Sequence, residues 1–204
     1  MPLAQAVLAV LLALPAPYCP PRATCSTETQ HRAHLEVVAR AIAGAADRAT
    51  CSGTWSQAAD DVCQPLWPGS ARELAAVLVA VGWWESRLSW RVQAGRCPWS
   101  GCSRWNRRAH SIWQVERSPA VSATLWRGIV GTRPVQVQEA AWTAARLLAL
   151  ARGRCGHRRA WLPATISGYA TGARCHWAGV GGRVWMGRQV ETRLLLWRTH
   201  GRRE

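Results

Sequence analysis

Residues Ser70-Ala71-Arg72-Glu73-Leu74-Ala75-Ala76-Val77-Leu78-Val79-Ala80-Val81-Gly82-Trp83-Trp84-Glu85-Ser86 decide the reading of this chain. Ser70 followed three residues later by Glu73 is a capping box, in which each side chain satisfies a backbone amide at the helix start. Leu74, Val77, Leu78, Val81, Trp84 and Leu88 then recur at steps of three and four, which predicts an α-helix with one apolar face. Glu85 lies 4, 7 and 11 residues after Val81, Leu78 and Leu74, so it shares that stripe. An ionised carboxyl is costly there unless it is paired. Burial disfavours the charge and raises the pKa, which is the state a general acid needs near neutral pH. The plainer alternative is a Glu that ends the helix and pairs with Arg87 or Arg91.

Working outward, Thr27-Glu28-Thr29-Gln30 is a second capping box, and Leu35, Val38, Ala39, Ile42 and Ala46 follow at helical spacing. Residues 50–69 hold Cys51, Cys63, Pro65, Pro68 and Gly69 and read as a stapled connector. Pro134 opens a long helix that runs through Leu150 and ends near Gly153. A short helix is predicted from Pro163 to Tyr169, a turn at Gly179-Val180-Gly181-Gly182, and a last helix from Gln189 to Trp197 with Val190, Leu194 and Trp197 on one side. Strict alternation of apolar and polar residues is scarce. The expected fold class is therefore mainly α, with room for a small β-hairpin in 92–115. The expected organisation is a leader in 1–23, a helical, cysteine-stapled extension in 24–69 and one principal domain in 70–204.

The chain has 204 residues with 26 basic and 11 acidic side chains, a net charge of +15. Every basic residue is arginine, and there is no phenylalanine, yet there are 14 tryptophans. A GC-rich coding bias accounts for part of this. The distribution still informs: residues 1–102 are near balance, whereas 103–204 carry 18 arginines against 4 acids. A cationic region that attracts polyanions follows, such as an acidic wall polymer. The composition excludes an acidic disordered chain, a membrane-spanning bundle and a coiled coil.

Eight cysteines at this length suggest an oxidised framework, with 105 full pairings open. Cys97 with Cys102 and Cys155 with Cys175 are the natural local pairs, which leaves Cys19, Cys25, Cys51 and Cys63 to pair among themselves. No paired C-x-x-C occurs, and Cys155-Gly156-His157 and Cys175-His176 fit zinc spacing poorly, so neither metal nor cofactor is expected. Disulfides require an oxidising compartment. Leu3 to Leu14 is an apolar run of signal-peptide length, followed by Pro15-Ala16-Pro17 and too short to span a bilayer. The expectation is a periplasmic, extracellular or phage-associated protein with no membrane span in the mature chain; the alternative is that the run is a short core helix.

Three segments stand in order around the predicted helices. Glu85-Ser86 closes the first, Ser111-Ile112-Trp113-Gln114 follows an irregular stretch, and Tyr169-Ala170-Thr171-Gly172 comes after the long helix. This set resembles the soluble lytic transglycosylase family of the lysozyme-like superfamily, over roughly residues 70–175. That family has E-S at a helix end, then G-x-x-Q, a long helix and A-Y-N-x-G. Here Ser111 stands for the Gly and Ala170 for the Asn.

The resemblance implies a lysozyme-like helical domain with a groove for peptidoglycan glycan strands. It makes Glu85 the catalytic acid/base and has Ser86 orient groups near the reacting centre. Gln114 would hydrogen-bond a sugar, Ser111 would line the same wall, and Tyr169 would hydrogen-bond toward Glu85. Trp113 and Trp99 are further candidates for the groove, because indole rings stack on sugar faces. Arg104, Arg107 and Arg108 form a basic run beside it.

A two-carboxylate hydrolase would need a partner for Glu85, and Glu116 is the plausible one. The one-carboxylate route fits better: the substrate's N-acetyl group stabilises the oxocarbenium-like centre, an exception to the two-carboxylate pattern. Closing a 1,6-anhydromuramyl ring at the MurNAc-GlcNAc β-1,4 bond is what the resemblance implies. The competing class is a non-catalytic cationic protein that binds wall or other polyanions. No helix-turn-helix or RNA-binding motif stands out, so no specific nucleic acid is expected.

Overall fold

The computed structural model describes residues 1–14, 27–52, 63–96, 109–116, 118–156, 160–172, 174–176 and 181–200; in the last of these, side chains are described for 181–185 and 187–193. The elements in order are α1 (Leu3–Leu12), α2 (Glu28–Ala49), α3 (Ala71–Ser86), α4 (Trp90–Gln93), β1 (Ala109–His110), β2 (Val115–Glu116), α5 (Ala123–Gly128), α6 (Pro134–Cys155), α7 (Trp161–Thr171) and α8 (Gly181–His200). The fold is mainly helical, and β1 and β2 form a two-stranded antiparallel hairpin that ends one residue past the span where one is expected. No helix among the described residues is long and apolar enough to cross a membrane.

Helix α3 runs through the middle of the core. Every residue from Leu74 to Trp83 is buried, which is wider than the single stripe that the spacing suggests. The cause is packing on several sides, since α1, α2, α6 and α8 all lie against it. Trp84, which belongs to the predicted stripe, instead emerges with 41% of its surface exposed. In α2 the predicted face holds: Leu35, Val38, Ala39, Ile42 and Ala46 are all buried. The apolar run near the N-terminus forms α1, which sets Ala6, Val7, Val10 and Leu11 into the same core against α2, α3 and α8.

Side-chain caps explain the starts of α2, α3 and α5. Thr27 and Gln30 exchange both capping-box bonds, at 3.2 and 3.1 Å. At Ser70 only half of the box forms. Ser70 Oγ accepts from the Glu73 amide, but the Glu73 carboxylate accepts from Trp67 Nε1 at 3.1 Å instead of reaching back. Helix α6 continues past Gly153 to Cys155, and α8 begins at Gly181 rather than Gln189. A glycine in a helix costs only about 1 kcal/mol relative to alanine, so packing overrides it. The short α4 and α5 carry no clear period, so the sequence pattern does not predict them.

All four described cysteines are in disulfides. Cys155 pairs with Cys175 as expected, and Cys51 pairs with Cys63, which is one of the pairings open to the N-terminal four. Cys19, Cys25, Cys97, Cys102, Trp99, Arg104, Arg107 and Arg108 lie outside the described residues, as do the side chains of Leu194 and Trp197.

Two buried polar side chains fix the chain beyond the end of α3. Gln93 of α4 donates through Nε2 to the carbonyls of Ile129 and Gly131, both at 2.9 Å, and accepts from the Ile112 amide. It thereby ties α4, the hairpin turn and the loop after α5 together. His34 of α2 donates from Nε2 to the Leu88 carbonyl at 3.0 Å and locks the turn after α3 onto α2. Burial holds its pKa down to about 4 from 6.5.

A depressed folded-state pKa means stability is complete above the unfolded value and is lost as pH falls through the window from 6.5 to about 4. The loss corresponds to roughly 3 kcal/mol. His34→Gln, which keeps a donor for Leu88, is expected to flatten that part of the slope in urea midpoints compared at pH 7 and pH 4.5.

Candidate active site

The α3 helix ends in two consecutive left-handed residues, Arg87 (φ 54°) and Leu88 (φ 56°). This reversal leaves Glu85 at the rim of the core, half-buried. Glu85 opens on a cavity of about 650 Å³, also lined by Gln114, Glu116, Arg154, Tyr169 and Arg183. That volume is in the range that holds a small ligand. The third segment contributes all of Tyr169-Ala170-Thr171-Gly172 to the wall.

Glu85 is in the environment its sequence position suggests, with an unexpected partner. Burial raises its carboxyl above the usual range, and the nearby Glu116 pushes the same way. Arg183 opposes both: its Nη2 donates to Glu85 Oε1 at 2.5 Å. Glu85 is therefore ion-paired with an arginine 98 residues away, not with Arg87 or Arg91. Arg87 instead lies over the rings of Trp83 and Trp84, 5.1 and 5.9 Å from their centroids.

The other predicted residues divide into two groups. Gln114 and Tyr169 reach the cavity with Glu85. Ser86, Ser111 and Trp113 do not. Ser86 Oγ donates to the Gly82 carbonyl and accepts from the Leu88 amide, at 3.0 and 3.1 Å, so it caps the end of α3. Ser111 is fully buried, and its Oγ accepts from the Trp113 amide. Trp113 is a core residue with no exposed surface rather than a sugar platform, and its Nε1 donates to the Leu78 carbonyl at 2.9 Å.

Tyr169 also corrects the expectation. Its hydroxyl donates to the Trp113 carbonyl at 2.7 Å, not to Glu85. Burial, and then the negative charge of Glu85, push the phenol well above its ordinary pKa, so it remains a donor.

The turn between the strands explains why these residues face as they do. Ser111 (φ 67°) and Gln114 (φ 50°) both adopt the left-handed backbone. Glycine enters that region without strain, whereas other residues are strained there. The Gly-to-Ser departure at position 111 is thus accommodated by a strained serine. Gln114 Nε2 closes the turn onto the Ser111 carbonyl at 2.9 Å. At Gly82 the absence of a side chain matters: a Cβ there would lie 3.1 Å from Trp113 Nε1 and 2.8 Å from Leu88 Cδ2.

Sequence reasoning missed Arg183 and Arg154. One arginine among 26 carries no periodic or spacing signal, and Arg183 follows a segment that reads as a turn. No group of three or more His, Cys, Asp or Glu among the described residues could hold a metal. The arrangement offers one carboxyl of raised pKa, a second carboxyl on the same wall, an amide and two guanidinium groups. Such a set can donate a proton and bind a polar, anionic ligand. No protein-family model, curated protein or solved structure matches the chain.

Trp113→Phe removes the indole donor to Leu78 and leaves a void, a loss of about 2 kcal/mol. A fall in melting temperature of roughly 4–8 °C is expected. Ser111→Val places a β-branched residue at a positive φ and removes the acceptor for the Trp113 amide; it is expected to cost about 2–3 kcal/mol. Ser111→Gly, which relieves the strain but loses the same bond, is expected to stay within about 1 kcal/mol of the parent in the same unfolding experiment.

Proposed function

We propose that this chain is a lytic transglycosylase that cleaves the MurNAc-GlcNAc β-1,4 bond of peptidoglycan, on a lysozyme-like helical fold, with Glu85 as its single acid/base. The observation that carries this reading is a half-buried carboxyl of raised pKa that opens on a ligand-sized cavity beside Gln114 and Tyr169. Three segments far apart in sequence each contribute to that cavity, in the order the family resemblance requires.

Glu85 protonates the glycosidic oxygen, and the N-acetyl group of the substrate stabilises the sugar cation. The carboxylate then takes the proton of the muramyl 6-hydroxyl, which closes the 1,6-anhydro ring. In this reading Gln114, which lines the cavity, hydrogen-bonds the sugar, and Tyr169 supports the wall by anchoring to Trp113. Disulfides and the cationic composition suit an exported protein that works on an acidic wall.

A second reading is favoured by one observation. Glu116 lines the same cavity, and its charge acts on Glu85. A muramidase would use it as the second carboxylate and admit water.

Glu85→Gln keeps an acceptor for Arg183 and should leave the fold intact. It is expected to reduce release of muropeptides from purified wall at least about 100-fold. Retained activity would exclude Glu85 as the acid. Product masses distinguish the two chemistries: anhydro ends identify the transglycosylase, and reducing ends together with loss of activity in Glu116→Gln identify the hydrolase. Because Glu85 must start protonated, wild-type activity is expected to fall as pH rises through its raised pKa.

A further inference from the structure

The ion pair at the rim of the core is a feature that the proposed mechanism does not use. Arg183 lies in the first turn of α8, and its side chain is only 8% exposed, against 20% for Glu85. Such enclosure is uncommon for an arginine. Its neighbour Gly182 explains how α8 comes this close. The Trp84 ring packs against Gly182 so tightly that a Cβ there would collide with it. Arg183 then passes the same ring, its guanidinium 5.7 Å from the indole centroid, and ends on Glu85 Oε1. A glycine, an indole and a helix start combine to aim one cation at one carboxyl.

We propose that Arg183 is a positioning residue, which fixes the Glu85 carboxylate in the cleft and sets how readily it exchanges the proton on which the reaction depends. This rests on the reading of Glu85 as the acid/base. A single-carboxyl enzyme asks two opposite things of that group. It must hold a proton in the first half of the cycle and accept one in the second, so a pKa near the working pH serves both. Burial alone drives the carboxyl toward the neutral form, which is a poor base. The guanidinium restores the charged form and orients it. Substrate entering the cleft displaces water around the pair, so Arg183 governs the group when it matters.

The other charges facing Glu85 come from every wall. Glu116 of β2 favours the protonated state, Arg154 near the end of α6 lines the cavity, and Arg87 follows α3 and lies over Trp83 and Trp84. Tyr169 of α7 is committed to the Trp113 carbonyl. Among the described residues, Arg183 is the cation that contacts the carboxyl itself.

The test reads the Glu85 carboxyl directly. In protein labelled with ¹³C at glutamate side chains, the Glu85 signal is assigned by its absence in Glu85→Gln and titrated. Arg183→Met is expected to raise its midpoint by at least about one pH unit, because an opposite charge in contact lowers a carboxyl by about 1–3 units. The limb of the pH–rate profile where activity falls with rising pH is expected to move up by the same amount. Arg183→Lys is expected to keep the midpoint within about half a unit of the parent. Where Arg183→Met fails to fold, Arg183→Gln retains a donor, removes the charge and carries the same prediction. A folded, active Arg183→Met or Arg183→Gln whose midpoint and limb both stay in place would show Arg183 to be only an anchor for α8 and would overturn the proposal. A wild-type protein that cleaves no wall overturns the functional reading, and the positioning role with it, whatever the midpoint does.

Discussion

The bond from Trp113 Nε1 to the Leu78 carbonyl holds the site together. It pins the hairpin turn to the middle of α3, at a place kept open by Gly82. The carbonyl of the same tryptophan receives the Tyr169 hydroxyl, so α7 is fastened to the same point. Three segments that are distant in sequence thus converge on one buried tryptophan residue. Gln114 is the next residue along the turn, and Glu85 lies about two turns of helix beyond Leu78. Once Trp113 is seated, the amide, the phenol and the carboxyl are brought to one cavity. The cost is visible beside it, in the left-handed backbone of Ser111 and Gln114. Strain of about 1–2 kcal/mol at each is sustained only because the surrounding core over-determines the turn.

What is legible in the sequence is local. Helix α2 and the start of α6 follow from a capping box, a proline and a period of about 3.6, all of which act within a few residues. The Cys155–Cys175 disulfide is legible because the two residues bracket one segment. The direction a side chain takes at a turn is not. The pattern assigns Trp113 to the groove, yet it is wholly buried; it assigns Trp84 to the core, yet that ring is exposed. A positive φ reverses the side on which a side chain lies, and nothing in the residue types Ser111 and Gln114 announces one. Tyr169 does reach the site, but its hydroxyl meets a backbone carbonyl rather than Glu85. Arg183 is invisible in the sequence, since a pairing between elements 98 residues apart depends on packing that no short motif encodes.

The disulfides and the charge acquire different weights in the structure. Cys155–Cys175 joins the end of α6 to the segment after α7, and these two helices supply Arg154 and most of the Tyr169–Gly172 wall. A crosslink across about 20 residues removes roughly 3 kcal/mol of chain entropy from the unfolded state, and here it also frames one side of the cavity. Other described arginines have a more general use. Arg48, Arg87 and Arg152 lie over tryptophan rings, a use that costs little and covers apolar surface.

Arg183 differs from those because it is enclosed. A guanidinium buried beside a carboxyl is a poor source of stability, since desolvation of both ions offsets their attraction. The core around α3 has ample apolar surface to anchor α8 without it, through Val184 and Val190. Stability therefore gives no sufficient reason for an arginine at this position. Its consequence falls on Glu85, where it opposes the burial and the Glu116 charge that push the carboxyl toward the neutral form. The net charge of the chain is large and positive. Its local expression at the cavity is a contest over one proton, in which a single enclosed arginine opposes burial and the Glu116 charge.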